Sequence, residues 1–532
     1  MKIKMKTILK HNKNKIAAFL MIVGLYSCQK SIDLQPISNV GSEAYYRNYS
    51  EVNSALTGCY NGLHKPLYSE WMFTELRGDN AKQGVPNSTN VANAELNALD
   101  MFTLNPFHER VYDYWLATYN NIRAINYVLR SLGVTYENKQ IIISQGTAEL
   151  SSAQKNKIVG EALFLRAYHY FNMVRLFGSV FLVDKPLSPQ EAKLMNRSSV
   201  NDLYDFIIAD LKKANEVFPH ITYATIPQAD LGRANVWSSK ALLAKVYLTI
   251  DEKNEALILL DDVIMNSGYG LISSYSDVFS ISNEMNKEII FAVRYKAGGL
   301  GLGSPFANLF APTGSGNSVV NNDGNGYDFP TEEMKTIYKV GDQRKDVTIA
   351  QYTATRPYVK KFLSQVSLRY DAENDFPVIR FSDVLLMKAE AIGFDGADGV
   401  AVGLINQVRE RAGAGDYGSN IDFASKLYKY PASGSEAITE DEVFRKALLN
   451  ERRIELAFEN QRYFDIMRQP DATDIIKAHF ADEFDTHYSN IIPPITLSAL
   501  QANVTKERLL LPIPQKERDK NDQIDIGQNP GY

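Results

Sequence analysis

Apolar residues return every three or four positions through much of this chain, which is the spacing of one face of an α-helix. The segment over residues 157–177 is apolar on nearly every side, as is typical of a helix buried in the middle of a protein. The pattern predicts helices over residues 111–129, 157–177, 199–218, 233–250 and 254–267, a helix pair within 378–411, and one long helix over about 440–468. The chain is therefore expected to be mostly α-helical.

Two neighbouring segments indicate how these helices pack. Residues 233–250 and 254–267 together have nearly the length of a helix–turn–helix repeat, and the small residues Ala241 and Ala244 face Ala256 across the pair. Small residues let paired helices approach closely, which resembles degenerate tetratricopeptide packing. We predict a tetratricopeptide-like scaffold of helix pairs.

Three segments lack this periodicity and are rich in glycine, asparagine, serine and proline: residues 78–108, 295–330 and 413–438. Loops of about 30 residues are unusual inside a compact domain and often carry function. No clean linker divides the chain, so residues 46–532 are predicted to form one mostly α-helical domain. Its long loop-rich insertions are expected to build a surface on one side of the scaffold.

The N-terminus has the three parts of a bacterial export signal. Six lysines and no acidic residue accompany an apolar run from Ile16 to Tyr26, and Leu25-Tyr26-Ser27-Cys28 resembles the lipobox of bacterial lipoproteins. Eleven apolar residues are too few to span a bilayer, which takes about 20. We predict a lipoprotein signal peptide over residues 1–27, a lipid attached to Cys28, and a linker over residues 28–45.

The cysteine content and the net charge indicate which kinds of site and partner are not expected. Cys59 shares a helical face with Val52, Leu56 and Leu63, which predicts a buried thiol. With Cys28 lipidated, neither a disulfide nor a cysteine-based metal site can form. Removal of the signal peptide takes away six lysines and moves the formal charge from −5 to −11. Nucleic-acid binding needs a basic surface, so a nucleic-acid partner is not expected.

Several motifs in the second half of the chain resemble those of a known family. They are VIRFSDVLLMKAEA at residues 378–391, INQVRERAG at 405–413, NERRIELAFE at 450–459, and QNPGY at the C-terminus. In this order and behind a lipobox, they resemble the SusD/RagB family of nutrient-uptake outer-membrane lipoproteins. Two positions depart from the family's pattern: Phe181 replaces a proline in a turn, and Asn460 stands where glycine is usual.

The resemblance implies a SusD-like helical scaffold and a lipid anchor on the outer membrane, with the protein facing the cell exterior. It also implies a partner, a SusC-like TonB-dependent transporter. Such proteins form a lid over the transporter and hand it oligosaccharides, or in some cases peptides. No cofactor is expected, and no motif in this chain demands a metal ion.

The charged segment over residues 451–468 raises the alternative of a glycosidase, because Glu451, Glu455 and Glu459 share one helical face. Arginines are interleaved with these acids at ion-pair spacing. An acid beside a guanidinium has a lowered pKa, whereas a general acid needs a raised one. No zinc-binding histidine spacing and no G-x-S-x-G motif occurs. We therefore predict a structural ion network and no enzymatic activity.

Binding is the remaining role, and a sugar site combines aromatic rings with planar hydrogen-bonding groups. Arg77, Asp79 and Asn80 supply such groups at the start of the first long loop. The aromatic candidates are Tyr68, Trp71 and Phe102 around that loop and Tyr295 and Tyr327 around the second. The alternative for each aromatic residue is packing in the core, which we expect for Trp115 and Trp237 because they lie within predicted helices.

These observations predict a surface-exposed lipoprotein that binds an oligosaccharide, leaves it intact, and presents it to a SusC-like transporter. Two alternatives keep the same architecture. In one the ligand is a peptide, and in the other the protein is a structural lid or adaptor that holds a protein partner and binds no ligand.

Overall fold

The computed structural model describes residues 45–416, 418, 422–521 and 523–532. Short 3₁₀ turns aside, its helices in chain order are α1 (Tyr49–Asn61), α2 (His64–Thr74), α3 (Val91–Asp100), α4 (Glu109–Ser131), α5 (Ser152–Phe177), α6 (Pro189–Lys193), α7 (Val200–Val217), α8 (Val236–Thr249), α9 (Lys253–Asn266), α10 (Tyr275–Val278), α11 (Phe306–Phe310), α12 (Glu332–Thr336), α13 (Lys345–Thr348), α14 (Phe381–Ile392), α15 (Val400–Arg411), α16 (Asp441–Glu455), α17 (Arg462–Met467), α18 (Ala472–Glu483), α19 (Leu497–Ala502) and α20 (Gln515–Lys520). Its strands are β1 (Ala81–Gln83), β2 (Val134–Glu137), β3 (Gln140–Ile143), β4 (Ile289–Val293), β5 (Asp328–Pro330), β6 (Ile349–Thr353), β7 (Arg356–Val359) and β8 (Phe376–Arg380). The predicted signal peptide, the lipid site Cys28 and the linker as far as residue 44 lie outside the described residues.

The long helices pack one against the next along the chain. α4 packs against α5, α5 against α7, α7 against α8 and α8 against α9. α9 then packs against α14, and α14 against α15, so the elements between residues 275 and 380 form an insertion within the row. The predicted mostly helical scaffold of paired helices is confirmed.

The helix α5 packs between α4 and α7 in this row. Its residues from Ile158 to Phe177 are buried on nearly every side, as the sequence predicts. The helix begins earlier than predicted because Ser151 and Gln154 form a capping box, in which each side chain bonds the backbone N–H of the other. Such polar first-turn residues carry no apolar signal. The helix ends at Phe177 and is followed by Gly178, whose φ of 69° suits glycine.

One predicted helix is wrong in its extent. The segment over 440–468 forms two helices, because α16 ends at Glu455 and α17 begins at Arg462. Phe458 and Asn460 between them have φ of 64° and 60°, which a right-handed helix cannot contain. Asparagine tolerates this left-handed conformation better than most residues, which suits it to the position of Asn460.

The predicted helix pair within 378–411 also needs a correction at its start. Residues Phe376 to Arg380 form the strand β8, which pairs antiparallel with β4, and the two helices follow it. A five-residue apolar run cannot be assigned to a helix or a strand by periodicity alone.

The predicted core positions are confirmed. Cys59, Trp115 and Trp237 are all buried, and burial raises the pKa of the Cys59 thiol to about 12. This thiol is therefore neutral and unreactive at physiological pH. None of the helices within the described residues is long and apolar enough to cross a membrane.

Candidate functional site

The first two predicted loops meet at a two-stranded sheet. β1 pairs antiparallel with β5, so that Ala81 lies opposite Pro330 and Gln83 opposite Asp328. Just beyond the pair, a Cβ on Gly84 would lie 2.1 Å from the carbonyl oxygen of Gly326, so no larger residue fits there. The pairing brings together the two regions in which ligand-binding residues were predicted.

Six of the eight predicted ligand-binding side chains lie in the interior: Arg77, Asp79, Asn80, Trp71, Phe102 and Tyr295. Each exposes 5% of its area or less, so a ligand cannot reach it in this structure. This corrects the expectation from the sequence. The contacts of these residues show instead that they position the loops.

Arg77 holds the C-terminal segment against the loop. Its Nη2 donates to the carbonyl oxygens of Arg508 at 2.5 Å and Leu509 at 3.3 Å. Its guanidinium also lies between two rings, 4.7 Å from the centre of Phe102 and 4.9 Å from that of Tyr463. Arg77 and Phe102 therefore form a buried cation–π contact.

Asp79 and Asn80 anchor the same loop to α16 and α17. The two carboxylate oxygens of Asp79 accept from Arg462 Nε and Nη2, each at 2.7 Å. Asn80 Oδ1 accepts from Arg453 Nε at 2.8 Å. Burial acts to raise the pKa of Asp79, but Arg453 and Arg462 outweigh it and hold that pKa well below its usual range. Both carboxylate oxygens of Asp79 and the amide oxygen of Asn80 thus already accept hydrogen bonds from the protein.

Trp71 and Tyr295 pack beneath the second loop region. The ring of Trp71 lies nearly parallel to that of Tyr327, with centroids 6.4 Å apart, and meets Phe310 edge-on at 5.3 Å. Tyr295 stacks on His64 at 4.3 Å, and burial raises the pKa of its phenol well above the usual range. Trp71 therefore supports Tyr327 from behind.

Tyr68 and Tyr327, the two remaining predicted residues, are partly exposed, and Tyr370 joins them. Burial raises the pKa of Tyr68, and Arg110, Tyr370 and Tyr327 all lie close enough to influence it. Tyr370 is 39% exposed. We call Tyr68, Tyr327 and Tyr370 the tyrosine platform. Phenol rings offer both an apolar face and a hydroxyl, the two features that a sugar ring matches.

Asn325 adds a hydrogen-bonding group beside the platform. Its Oδ1 accepts from the hydroxyl of Tyr370 and from Arg369 Nη2, both at 2.9 Å. Its Nδ2 has no hydrogen-bond partner among the described residues. The side chain of Asn325 is therefore oriented by the protein while its amide N–H groups stay available.

The loop that carries Asn325 and Tyr327 is held in shape by the carboxylate of Asp323. This carboxylate accepts from the backbone N–H groups of Gly314 and Gly316 at 3.1 Å and of Gly324 at 2.8 Å. Burial acts to raise the pKa of Asp323, but these N–H groups outweigh it and lower the pKa. The ionised carboxylate of Asp323 thus fixes the backbone of its own loop through these hydrogen bonds.

Buried Asn308 joins the two parts of the platform. Its Nδ2 donates to the carbonyl oxygen of Asp323 at 2.7 Å, and its Oδ1 accepts from the backbone N–H of Tyr370 at 2.8 Å. One side chain therefore braces the segments that carry Tyr327 and Tyr370. A surface that is already ordered before the ligand binds loses less conformational entropy on binding.

The acidic residues of α16 form the predicted structural ion network. Glu455 accepts from Arg380 Nη1 at 3.0 Å, from Arg344 Nη1 at 3.3 Å and from Arg411, and Glu451 accepts from Arg344 at 2.5 Å. These guanidinium groups come from other elements and not from α16 itself. Burial acts to raise the pKa of Glu455, but the three arginines outweigh it and lower the pKa. A general acid needs the opposite shift.

Models of one family match the chain in two stretches. A model described as the SusD family matches residues 287–532, and one described as starch-binding associating with outer membrane matches residues 33–248. The chain belongs to the SusD/RagB family. A SusD-like protein of Formosa agariphila is 25% identical to it over 549 aligned residues, covering 92% of this chain and 97% of the relative. A SusD-like protein of Bacteroides ovatus is 27% identical over 409 residues, covering 69% of this chain and 67% of the relative.

Solved structures of SusD-like proteins share the fold. A laminarin-binding SusD-like protein matches with a TM-score of 0.70 at 24% identity, covering 92% of this chain and 100% of that one. The surface glycan-binding protein A of Bacteroides thetaiotaomicron, solved in complex with laminarihexaose, matches with a TM-score of 0.67 at 20% identity, covering 91% and 99%. At these identities the likeness shows the SusD-like fold.

Sequence reasoning missed four groups at the platform of this SusD/RagB protein: Tyr370, Asn325, Arg369 and Arg110. Tyr370 and Arg369 lie between β7 and β8, outside the long loops and without periodic neighbours. The family motifs could not indicate them, because those motifs lie on the scaffold. Asn325 did carry a signal, since it precedes Gly326 in an Asn-Gly pair typical of a turn.

Proposed function

We propose that this protein binds an oligosaccharide at the tyrosine platform, without cleaving it, and presents it to a SusC-like TonB-dependent transporter in nutrient uptake. The platform carries the proposal, because it sets three partly exposed phenol rings beside the unpaired amide nitrogen of Asn325. Rings of this kind stack on the C–H face of a sugar while planar amides bind its hydroxyls. The names of relatives that bind laminarin or laminarihexaose support the same ligand class.

A lipid on Cys28 completes this proposal by tethering the protein to the outer membrane with the platform facing the cell exterior. The description of the matched family as associating with the outer membrane supports this location. Each buried CH₂ of an acyl chain contributes about 0.8 kcal/mol to membrane attachment, so two or more chains give a durable anchor.

The chain beginning after Cys28 should bind oligosaccharides on a glycan array, with laminarin oligosaccharides as the first probes. The same protein should be tested against a peptide library. Binding of peptides together with silence toward every glycan would contradict the proposed ligand class. Failure to bind either class, with retention of the transporter in pull-downs, would favour the structural lid or adaptor.

Replacing Cys28 with alanine should release the protein from the membrane fraction and leave oligosaccharide binding unchanged. The reason is that the substitution removes the acylated sulfur and no group of the platform. Cys59→Ala is the matched control and should stay in the membrane fraction, because Cys59 is buried. Membrane retention of the Cys28→Ala protein in fractionation would show that the anchor lies elsewhere.

A further inference from the structure

A cavity of about 780 Å³ opens on the helical scaffold. Residues of α5, α7, α8, α14, α16 and α17 line it, and none of them belongs to the tyrosine platform. Its volume lies within the range of about 300–1,000 Å³ that small-molecule sites occupy. The wall combines apolar side chains, among them Val174, Leu248 and Phe444, with charged ones. It thus has the mixed lining of a ligand site.

Arg175 lies in this wall, and the rings of Phe171 and Phe464 hold its guanidinium in place. Its Cζ lies 3.8 Å from the ring centre of Phe171 and 3.5 Å from that of Phe464. Its Nε donates to the carbonyl oxygen of Phe171 at 3.1 Å and its Nη2 to Asn172 Oδ1, while Nη1 has no partner among the described residues. Burial lowers the pKa of Arg175 to about 10, so the group stays charged at neutral pH.

Other arginines of the wall have acids as partners. Arg468 pairs with Glu390 at 2.9 Å, and Arg445 pairs with Asp471 at 3.2 Å. Within the part of the chain that the structure describes, no carboxylate oxygen lies within 4 Å of Arg175. Arg175 is therefore a fixed cation at the cavity that lacks a direct counterion.

After burial, Tyr204 and then the carboxyl of Glu70 have the largest effects on the pKa of Arg175, and both act to raise it. Asn172 Nδ2 donates to the two carboxylate oxygens of Glu70 at 3.2 and 3.3 Å. Burial raises the pKa of Glu70 to about 7, so this carboxyl is only partly ionised at neutral pH. Tyr204, which also lines the cavity, is close enough to Arg175 for each to influence the other's titration. Its hydroxyl has no hydrogen-bond partner among the described residues, so it is free to donate.

We propose that this cavity binds a small organic carboxylate. The carboxylate oxygens accept from Arg175 Nη1 and from the hydroxyl of Tyr204, and an apolar body lies against Val174 and Leu248. Hydrogen bonds between a guanidinium and a carboxylate are among the strong ones, and here the anion supplies the counterion that the protein lacks. This second site stands independently of oligosaccharide binding at the tyrosine platform.

Ligand-observed NMR with phenylpropanoate and its neutral match phenylpropanamide tests this site. The wild-type protein should bind the carboxylate and should bind the amide about tenfold more weakly or not at all. Arg175→Met and Tyr204→Phe should each weaken phenylpropanoate binding about tenfold. Tyr204→Phe removes only a hydroxyl without a protein partner, so it should fold normally. Tyr327→Ala should have no effect.

Three outcomes would overturn the proposal. Equal binding of phenylpropanoate and phenylpropanamide would mean that the cavity responds to apolar area alone. Unchanged affinity in both Arg175→Met and Tyr204→Phe would place the carboxylate elsewhere. Binding of neither compound, while an acidic peptide binds, would assign the cavity to a protein segment.

Discussion

Replacing Glu455 with glutamine should lower the free energy of unfolding by about 3–5 kcal/mol, the cost of breaking a buried ion pair from one side. The carboxylate accepts hydrogen bonds from Arg344, Arg380 and Arg411, and all four groups are buried. Glutamine keeps the size of the side chain but removes the charge, so three guanidinium groups lose a common counterion. Urea denaturation followed by circular dichroism measures the change.

Glu410→Gln is the matched control, because its carboxylate is 64% exposed and its nearest cation, Lys429 Nζ, lies 3.7 Å away. Its unfolding midpoint should equal that of the wild type. An unchanged midpoint in Glu455→Gln would contradict the structural role assigned to the network.

The pH dependence of stability gives a second measure of the same network. The folded pKa of Glu455 lies below its unfolded value of about 4.3. Its contribution to stability is therefore present above the unfolded pKa and is lost as the pH falls through the folded pKa. The wild type should lose stability in acid below about pH 4, and Glu455→Gln should show a shallower loss.

Replacing Tyr327 with alanine should weaken oligosaccharide binding about 30-fold, which corresponds to the roughly 2 kcal/mol of a central aromatic contact. Trp71 supports this ring from behind, and the loop that carries it is closed on Asp323. The ring is thus ordered before the ligand binds, and its removal costs contact area without freeing a flexible segment. Isothermal titration calorimetry measures the change.

Tyr112→Ala provides the control for this prediction. Its ring lies 5.1 Å from Lys516 Nζ and 5.0 Å from Lys520 Nζ, and it takes no part in the tyrosine platform. The control should bind the oligosaccharide with wild-type affinity. Equal affinities of Tyr327→Ala and the wild type for the oligosaccharide would show that Tyr327 does not contact the ligand.

The scaffold could be predicted from the sequence because its signals are local. The apolar surface of α5 and the small residues of α8 and α9 lie within single helices. In a single helix, the spacing of apolar residues directly indicates which positions are buried. The break at Asn460 could not be predicted in the same way, because arginines and glutamates at helical spacing continue across it. Only a backbone turn with positive φ interrupts them.

The candidate site was harder to predict because burial of a polar loop residue depends on distant partners. In the sequence, Asp79 and Asn80 have the chemistry of ligand-binding residues. In the fold, Arg462 and Arg453, nearly 400 residues away in sequence, donate hydrogen bonds to them. Trp71 was predicted to contact the ligand, but its ring is buried and packs against Tyr327. Tyr370 comes from a third segment that only the folded chain brings to the platform.

Calorimetric titration of the tightest oligosaccharide from the array into the wild type and into a Tyr327→Ala, Tyr370→Ala double variant tests the central claim most directly. Both proteins should unfold at the same urea concentration, since both rings are partly exposed. The tyrosine platform predicts saturable binding by the wild type and no measurable binding by the double variant. Wild-type affinity in a folded double variant would contradict it.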